Sequence, residues 1–351
     1  MTFEEFIMQA REMNASDIHL TVGAPTVVRV NGELRKYTEL SDQVVNRTIL
    51  SILSAEQEKM LTEGKDIDFS FELKNGARQR VNVFRQSGKL AACIRLLNAE
   101  IPTLEELKMP PVLLEFAKKR RGLVLVTGPT GAGKSTTLAA LMEYINKTRA
   151  CHVITIEDPI EYRYKQEKAT IHQREPGRDV PSFHEALRSA LREDPDVILI
   201  GEMRDYETIS LAMTAAETGH LVFGTLHTSS AAQTVDRIID ACPIHSQDQV
   251  RSQLASMIQG IIAQTLIPRA DGKGRVAAVE VMIGTDAIRN LIRSAKINMM
   301  ETTMAAGARD GMCTLNASLA NLYKTGQISY ETALEYATDR GEMEKKLLSG
   351  I

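Results

Sequence analysis

Residues 123–136, Leu-Val-Leu-Val-Thr-Gly-Pro-Thr-Gly-Ala-Gly-Lys-Ser-Thr, decide the fold. The run 123–127 reads as a buried strand, and a helix is expected to begin at Ser135. Between them lies G-x-x-x-x-G-K-[ST], with Gly128, Gly133, Lys134 and Ser135 in the fixed places. The order of strand, glycine loop and helix has a physical reason. Glycines let backbone N–H groups turn inward around a phosphate. The helix N-terminus adds partial positive charge. Lys134 brings a point charge to β- and γ-phosphates, and the Ser135 hydroxyl suits Mg²⁺. Gly128, Pro129, Thr130, Gly131, Ala132, Gly133, Lys134, Ser135 and Thr136 are therefore the candidate residues for binding ATP.

Outward from this loop, continuous apolar runs recur at 153–156, 197–200 and 221–226, with helical patterns at about 135–148, 182–193 and 206–218. Such alternation implies a parallel sheet covered on both faces. From about Asp286 the pattern is helical to the end. The N-terminal part reads differently. A helix is predicted over Phe3–Met13, with Phe3, Phe6, Ile7 and Ala10 on one face. Short alternating strands are predicted at 17–21, 26–30, 67–72 and 80–84, and one helix from about Asp42 to Leu61. Asn31-Gly32 reads as a hairpin turn. Pro102, Pro110 and Pro111 mark a linker. The expected organisation is a small α+β domain at 1–97, a hinge linker at 98–111, an α/β P-loop core at 112–285 and a helical region at 286–351.

Three further motifs carry chemistry. In Leu199-Ile-Gly-Glu-Met-Arg204, Glu202 stands at the C-terminal end of an apolar run, where a phosphate site places Mg²⁺ and its water shell. In Thr155-Ile-Glu-Asp-Pro-Ile-Glu-Tyr162, Glu157, Asp158 and Glu161 cluster after another strand. Hydrolysis needs a base that orients water, a role open to Glu161 or a neighbour, with Glu202 either holding the metal shell or sharing that role. Crowded acids near the metal raise one another's pKa. Glu157, Asp158, Glu202 and Ser135 are the candidate metal ligands. In Gly219-His-Leu-Val-Phe-Gly-Thr-Leu-His-Thr228, His220 and His227 bracket a strand with no cysteine or carboxylate at zinc spacing. They are expected to sense the γ-phosphate.

Composition bounds the rest. The chain has 351 residues, 42 Lys plus Arg against 45 Asp plus Glu, and a formal charge of -3, so no global field draws it to nucleic acid or to an anionic membrane. Aromatic residues are 5% with no Trp, which disfavours base stacking along a single strand. Lys118-Lys-Arg-Arg121 is the densest basic run and suits a helix C-terminus. Four scattered cysteines exclude a C-x-x-C metal or redox site, and together with the acidic start point to a reducing cytosol.

At these four motifs, in this order, the sequence resembles the secretion ATPase superfamily, the hexameric motors of type II secretion and type IV pili. The likeness runs from Ala15-Ser-Asp-Ile-His-Leu20 to the C-terminal helices. It is similar above all to the type IV pilus retraction ATPases, through Ala287-Ile-Arg-Asn-Leu-Ile-Arg293, although Ser294 stands where that motif continues with Glu. The paired C-x-x-C insert of the extension and type II secretion ATPases is absent. The resemblance implies a PAS-like N-terminal domain, a RecA-like ATPase core and a homo-hexamer that hydrolyses ATP to withdraw the pilus. It also implies that Arg80 and Arg95 act on a nucleotide. It places the motor in the cytoplasm, at the inner face of the membrane, against a platform protein at the pilus base. An accessory paralogous ATPase is both a possible partner and the alternative identity. The rival readings are a nucleic-acid or conjugation motor of similar core and a small-molecule P-loop kinase. No direct nucleic-acid partner is expected.

Overall fold

The computed structural model describes residues 3–30, 32–73, 76–97 and 100–348. Asn31, half of the expected hairpin turn, and residues 98 and 99 of the expected linker lie outside them. The chain divides into two compact units, Met1–Glu100 with Pro159–Arg163, and Ile101–Asp158 with Tyr164–Ile351.

The first unit contains α1 (Phe3–Glu12), β1 (Ala15–Thr21), β2 (Val27–Val30), β3 (Glu33–Lys36), α2 (Asp42–Ser51), α3 (Ala55–Thr62), β4 (Ile67–Glu72), β5 (Arg78–Gln86) and β6 (Lys89–Leu96). The strands form one antiparallel sheet in the order β3-β2-β1-β6-β5-β4. Alternation sends Ile18, Leu20, Val28, Val81, Val83 and Ile94 to a buried face. Phe6, Ile7 and Ala10 of α1 and Val45 and Ile49 of α2 join them in one core. The single helix expected over 42–61 is two. Ser54 accepts from the Gln57 N–H while the Gln57 side chain accepts from the Ser54 N–H, a reciprocal cap that starts a new helix.

The second unit follows with α4 (Leu113–Ala117), β7 (Gly122–Thr127), α5 (Lys134–Thr148), β8 (His152–Ile156), β9 (Thr170–Arg174), α6 (Phe183–Ala190), β10 (Val197–Ile200), α7 (Tyr206–Glu217), β11 (Leu221–Leu226), α8 (Ala231–Asp240) and α9 (Gln247–Met257). After these come β12 (Ile258–Pro268), β13 (Arg275–Ile283), α10 (Asp286–Arg293), α11 (Met300–Ala306), α12 (Leu315–Lys324), α13 (Tyr330–Glu335) and α14 (Arg340–Leu348). The sheet order is β13-β12-β7-β11-β10-β8-β9. All neighbours are parallel except β12 and β13. Successive residues of β7 feed opposite cores. Leu123 and Leu125 pack with α6 to α10, whereas Val124 and Val126 pack with α4 and α5. Helices α12 to α14 gather on Ile267, Val276 and Ala278 of the last two strands. The basic run at 118–121 does follow a helix, α4, and Lys118 pairs with Glu115. In the proline-marked segment, Leu104 and Met109 are buried in the core of this second unit.

Five elements of this unit were not legible from periodicity: β9, α8, α9, and the antiparallel pair β12 and β13 that turns the expected parallel sheet into a mixed one. β12 pairs with β7, and Gly260 on it, opposite Val124, lets the Phe116 ring of α4 pack closely: an added Cβ would overlap that ring and crowd the Met282 carbonyl oxygen at 2.9 Å. Overpacking of this kind costs about 1–3 kcal/mol, so Gly260→Ala is expected to lower the unfolding free energy by that amount, read as a lower denaturant midpoint at unchanged slope. An unchanged midpoint would mean that the β12 contact yields freely.

Candidate active site

Parallel pairing decides which side chains meet. β7, β11, β10 and β8 are consecutive neighbours in the sheet, so the loops leaving their C-terminal ends are neighbours too. Those loops carry Lys134, His227, Glu202 and Glu157. Between β7 and α5 the loop turns at Gly128, φ +143°, and Gly133, φ +88°. At both, a side chain would be strained. Helix α5 then begins with no side-chain cap and no acid in its first turn among the described residues. By contrast α6, α7, α8, α10 and α12 each start under a Ser, Thr or Asp that accepts a backbone N–H. The α5 terminus is thereby suited to an anion.

Lys134 Nζ donates to the Gly128 carbonyl at 2.7 Å and to the Pro129 carbonyl at 3.1 Å, and lies 3.5 Å from His227 Nδ1. His227 Nε2 is 2.8 Å from Glu202 Oε1. The partners assign the tautomer: Nε2–H donates to the carboxylate, and the Nδ1 lone pair faces the ammonium. Arg204 Nη2 closes the other side of Glu202 at 2.7 Å from Oε2. The Arg204 hydrogen bond, opposed by partial burial, holds the Glu202 carboxyl below the usual carboxylate range, with His227 adding to the effect. Glu202 is therefore ionised at neutral pH and a weak base, better suited to orienting His227 or a metal-bound water than to taking a proton. The Thr155 hydroxyl donates to Glu157 Oε1 at 2.7 Å, and Gln173 Nε2 donates to the same oxygen at 3.3 Å.

Three expectations need correction or restatement. His220 does not join His227. It stands at the opposite end of β11, on the order of 20 Å away at roughly 3.3 Å per residue. There its Nδ1 lies 2.9 Å from the Ala215 carbonyl and 3.3 Å from the Thr218 hydroxyl, closing the C-terminal turn of α7. Glu157, Asp158 and Glu202 do not form a carboxylate cage: among the described residues no three His, Cys, Asp or Glu side chains are placed to hold a metal. The hard oxygen donors present, the Ser135 hydroxyl and the Glu202 carboxylate, still suit Mg²⁺, which takes only one or two protein ligands beside phosphate and water. Glu161 belongs by its contacts to the first unit, within Pro159–Arg163, where Arg163 pairs with Glu72. Arg80 and Arg95 are also in that unit, directly opposite each other on β5 and β6. Arg80 is bound by Asp68 at 2.6 Å and Arg95 by Asp17 at 3.1 Å. Two contributors escaped the sequence reading. Arg204 carried a signal in standing two residues after the acid, and Gln264 in being an amide inside an apolar strand.

The family model for Type II/IV secretion system proteins matches residues 1–342. The chain belongs to this family. It is 50% identical over 339 residues to the type IV pilus retraction ATPase PilT of Pseudomonas aeruginosa, covering 96% of this chain and 98% of that one. It is 38% identical to the type IV pilus ATPase PilU of the same organism, over all of this chain and 92% of the other. Among solved structures, the pilus retraction motor PilT with bound ADP superposes with a TM-score of 0.91 at 47% identity, covering 98% and 99% of the two chains. The α/β core, its parallel sheet and the helical C-terminal region are thus a fold of the Type II/IV secretion family.

In this family member the Glu202–Arg204 pair makes a titration prediction. A depressed folded-state pKa contributes stability at neutral pH that is lost only as pH falls through the depressed value. Arg204→Ala is expected to raise the Glu202 pKa towards the ordinary carboxylate value, read as an upward-shifted carboxyl titration by NMR. Arg204 is 77% exposed, so neutral-pH stability should change by less than about 1 kcal/mol. An unmoved titration would show that His227, not Arg204, sets the carboxylate.

Proposed function

We propose that this chain is the ATPase that powers withdrawal of type IV pili, the movement that underlies twitching motility. The observation that carries the reading is the chain of contacts from Lys134 through His227 to Glu202 beneath an uncapped glycine loop, in a chain so similar to PilT along its whole length. The accessory, PilU-like role is the alternative, and the lower identity to PilU disfavours it. Among the described residues no helix is long and apolar enough to cross a membrane. The reading places the motor in the cytoplasm against a platform protein at the pilus base.

On this reading residues 128–136 bind the ATP phosphates, and Lys134 leaves its loop carbonyls to neutralise them. Ser135 and Glu202 hold Mg²⁺, which neutralises charge on the phosphates when bound. His227 ties the position of Lys134 to that of Glu202, so the presence of a γ-phosphate is felt on the β10 loop. Glu161 is the proposed base that orients water, because Glu202, held ionised between Arg204 and His227, is a weak base. Arg80 and Arg95 supply positive charge to a nucleotide in a homo-hexameric ring. A charge donor brought in from a neighbour is a common device in phosphoryl transfer. The segment 287–293 transmits movement. Its Ile288, Leu291 and Ile292 are buried core, whereas Arg293 is exposed.

Lys134→Ala is expected to lower ATP turnover by about 10²-fold or more, since one preorganised charge donor is lost, with little change in melting temperature. Turnover equal to wild type would sink the phosphate-loop assignment. Arg293→Ala is expected to keep ATPase activity within about twofold, because the side chain is surface-placed, yet to fail to restore pilus retraction in a deletion strain. Full restoration would remove Arg293 from force transmission, and loss of ATPase activity would make the segment part of the catalytic core.

A further inference from the structure

Gln264 is an amide in the middle of β12, flanked by Ile261, Ile262, Ala263, Leu266 and Ile267, and only 2% exposed. A buried amide is costly unless both its ends are bonded. Both are. Nε2 donates to the Ala132 carbonyl at 2.6 Å, and Oε1 accepts from the Thr137 hydroxyl at 2.9 Å. The position follows from register. β12 pairs with β7 up to Ala263 opposite Thr127, so Gln264 comes next, level with the start of the glycine loop. A Cβ on Gly128 would collide with the Gln264 backbone carbonyl, and one on Gly133 would come within 3.1 Å of its Nε2.

The consequence is chemical. In a trans peptide the C=O and N–H point in opposite directions. Anchoring the Ala132 carbonyl on β12 turns the N–H of Gly133 away from that strand and into the hollow of the loop. Resting on the reading of that loop as a nucleotide site, we propose that Gln264 is a positioning residue for phosphate. Its amide holds the 132–133 peptide so that the Gly133 N–H is presented to a phosphate oxygen, and through Thr137 it fixes the first turn of α5 to the same strand. Gln264 touches no substrate; it acts through Ala132.

The test is binding of a fluorescent ADP analogue with Mg²⁺ to the full chain. Gln264→Met keeps length and volume but has no donor, and leaves the Ala132 carbonyl buried without a partner. The dissociation constant is expected to rise about tenfold. Gln264→Glu separates positioning from packing. At pH 8 its ionised carboxylate sets an oxygen against the Ala132 carbonyl, and affinity falls. A buried carboxyl titrates above its ordinary value. Lowering the pH to 6 restores a donor to Ala132 and an acceptor for Thr137, and affinity recovers towards wild type measured at the same pH. Thr137→Val keeps the Ala132 contact and is expected to lose less than Gln264→Met. Melting curves without nucleotide establish that each variant is folded, and if Gln264→Met is not, the pH series on Gln264→Glu decides. Unchanged affinity in a folded Gln264→Met, no recovery of Gln264→Glu at low pH, or an equal loss in Thr137→Val would each overturn the inference. Failure of wild type to bind the ADP analogue would instead overturn the nucleotide reading on which it rests.

Discussion

The close approach of β12 to the start of the glycine loop is the contact on which the rest of the second unit depends. It exists because Gly128 has no side chain: a single methyl group there would overlap the carbonyl of Gln264. With the two backbones in contact, the edge pair β12 and β13 extends the sheet on the side of β7 opposite β11. The same strand begins at Ile258, whose carbonyl accepts from Arg289 of α10 at 3.1 Å. One strand therefore touches the phosphate loop at its middle and the helical region at its beginning, and a packed strand transmits displacement because protein interiors have little free volume.

Around the loop, polar groups are linked in series rather than gathered in a cage. Lys134 is held by two carbonyls and faces the lone pair of His227; His227 donates to Glu202; Glu202 is fixed by Arg204. The series only works with a neutral imidazole. A second proton on His227 would set a cation against the ammonium of Lys134, with Glu202 the only compensating charge in the series. The Arg204 contact in turn keeps Glu202 ionised, so the carboxylate stays an acceptor for His227.

The first unit solves a different electrostatic problem. Ser70, Arg80, Arg95, Asp17 and Arg29 form one lateral row across its sheet. Two guanidinium groups directly opposite each other repel. Asp68 beside Arg80 and the nearly buried Asp17 beside Arg95 offset that repulsion. The arginines are thus held at the surface of the sheet by acids that the chain supplies from other strands.

By itself the sequence determined the glycine loop, the buried strands β7, β8, β10 and β11 and the identity of Lys134, Glu202 and His227. These are local properties: four-residue apolar runs, a glycine spacing and a helix start are each written in adjacent residues. It also carried, unread, the Ser54–Gln57 reciprocal cap that splits one expected helix into two. Tertiary structure alone decided which of the two histidines meets the site, because parallel pairing brings strand ends together and leaves a strand's length between His220 and His227. It also decided that Glu161 groups with the first unit, that three nearby acids do not make a metal cage, and that Gln264, far from the loop along the chain, holds the loop's peptide in place. Register and strand order fix these relations, and both are set by the packing of apolar faces between elements distant in sequence.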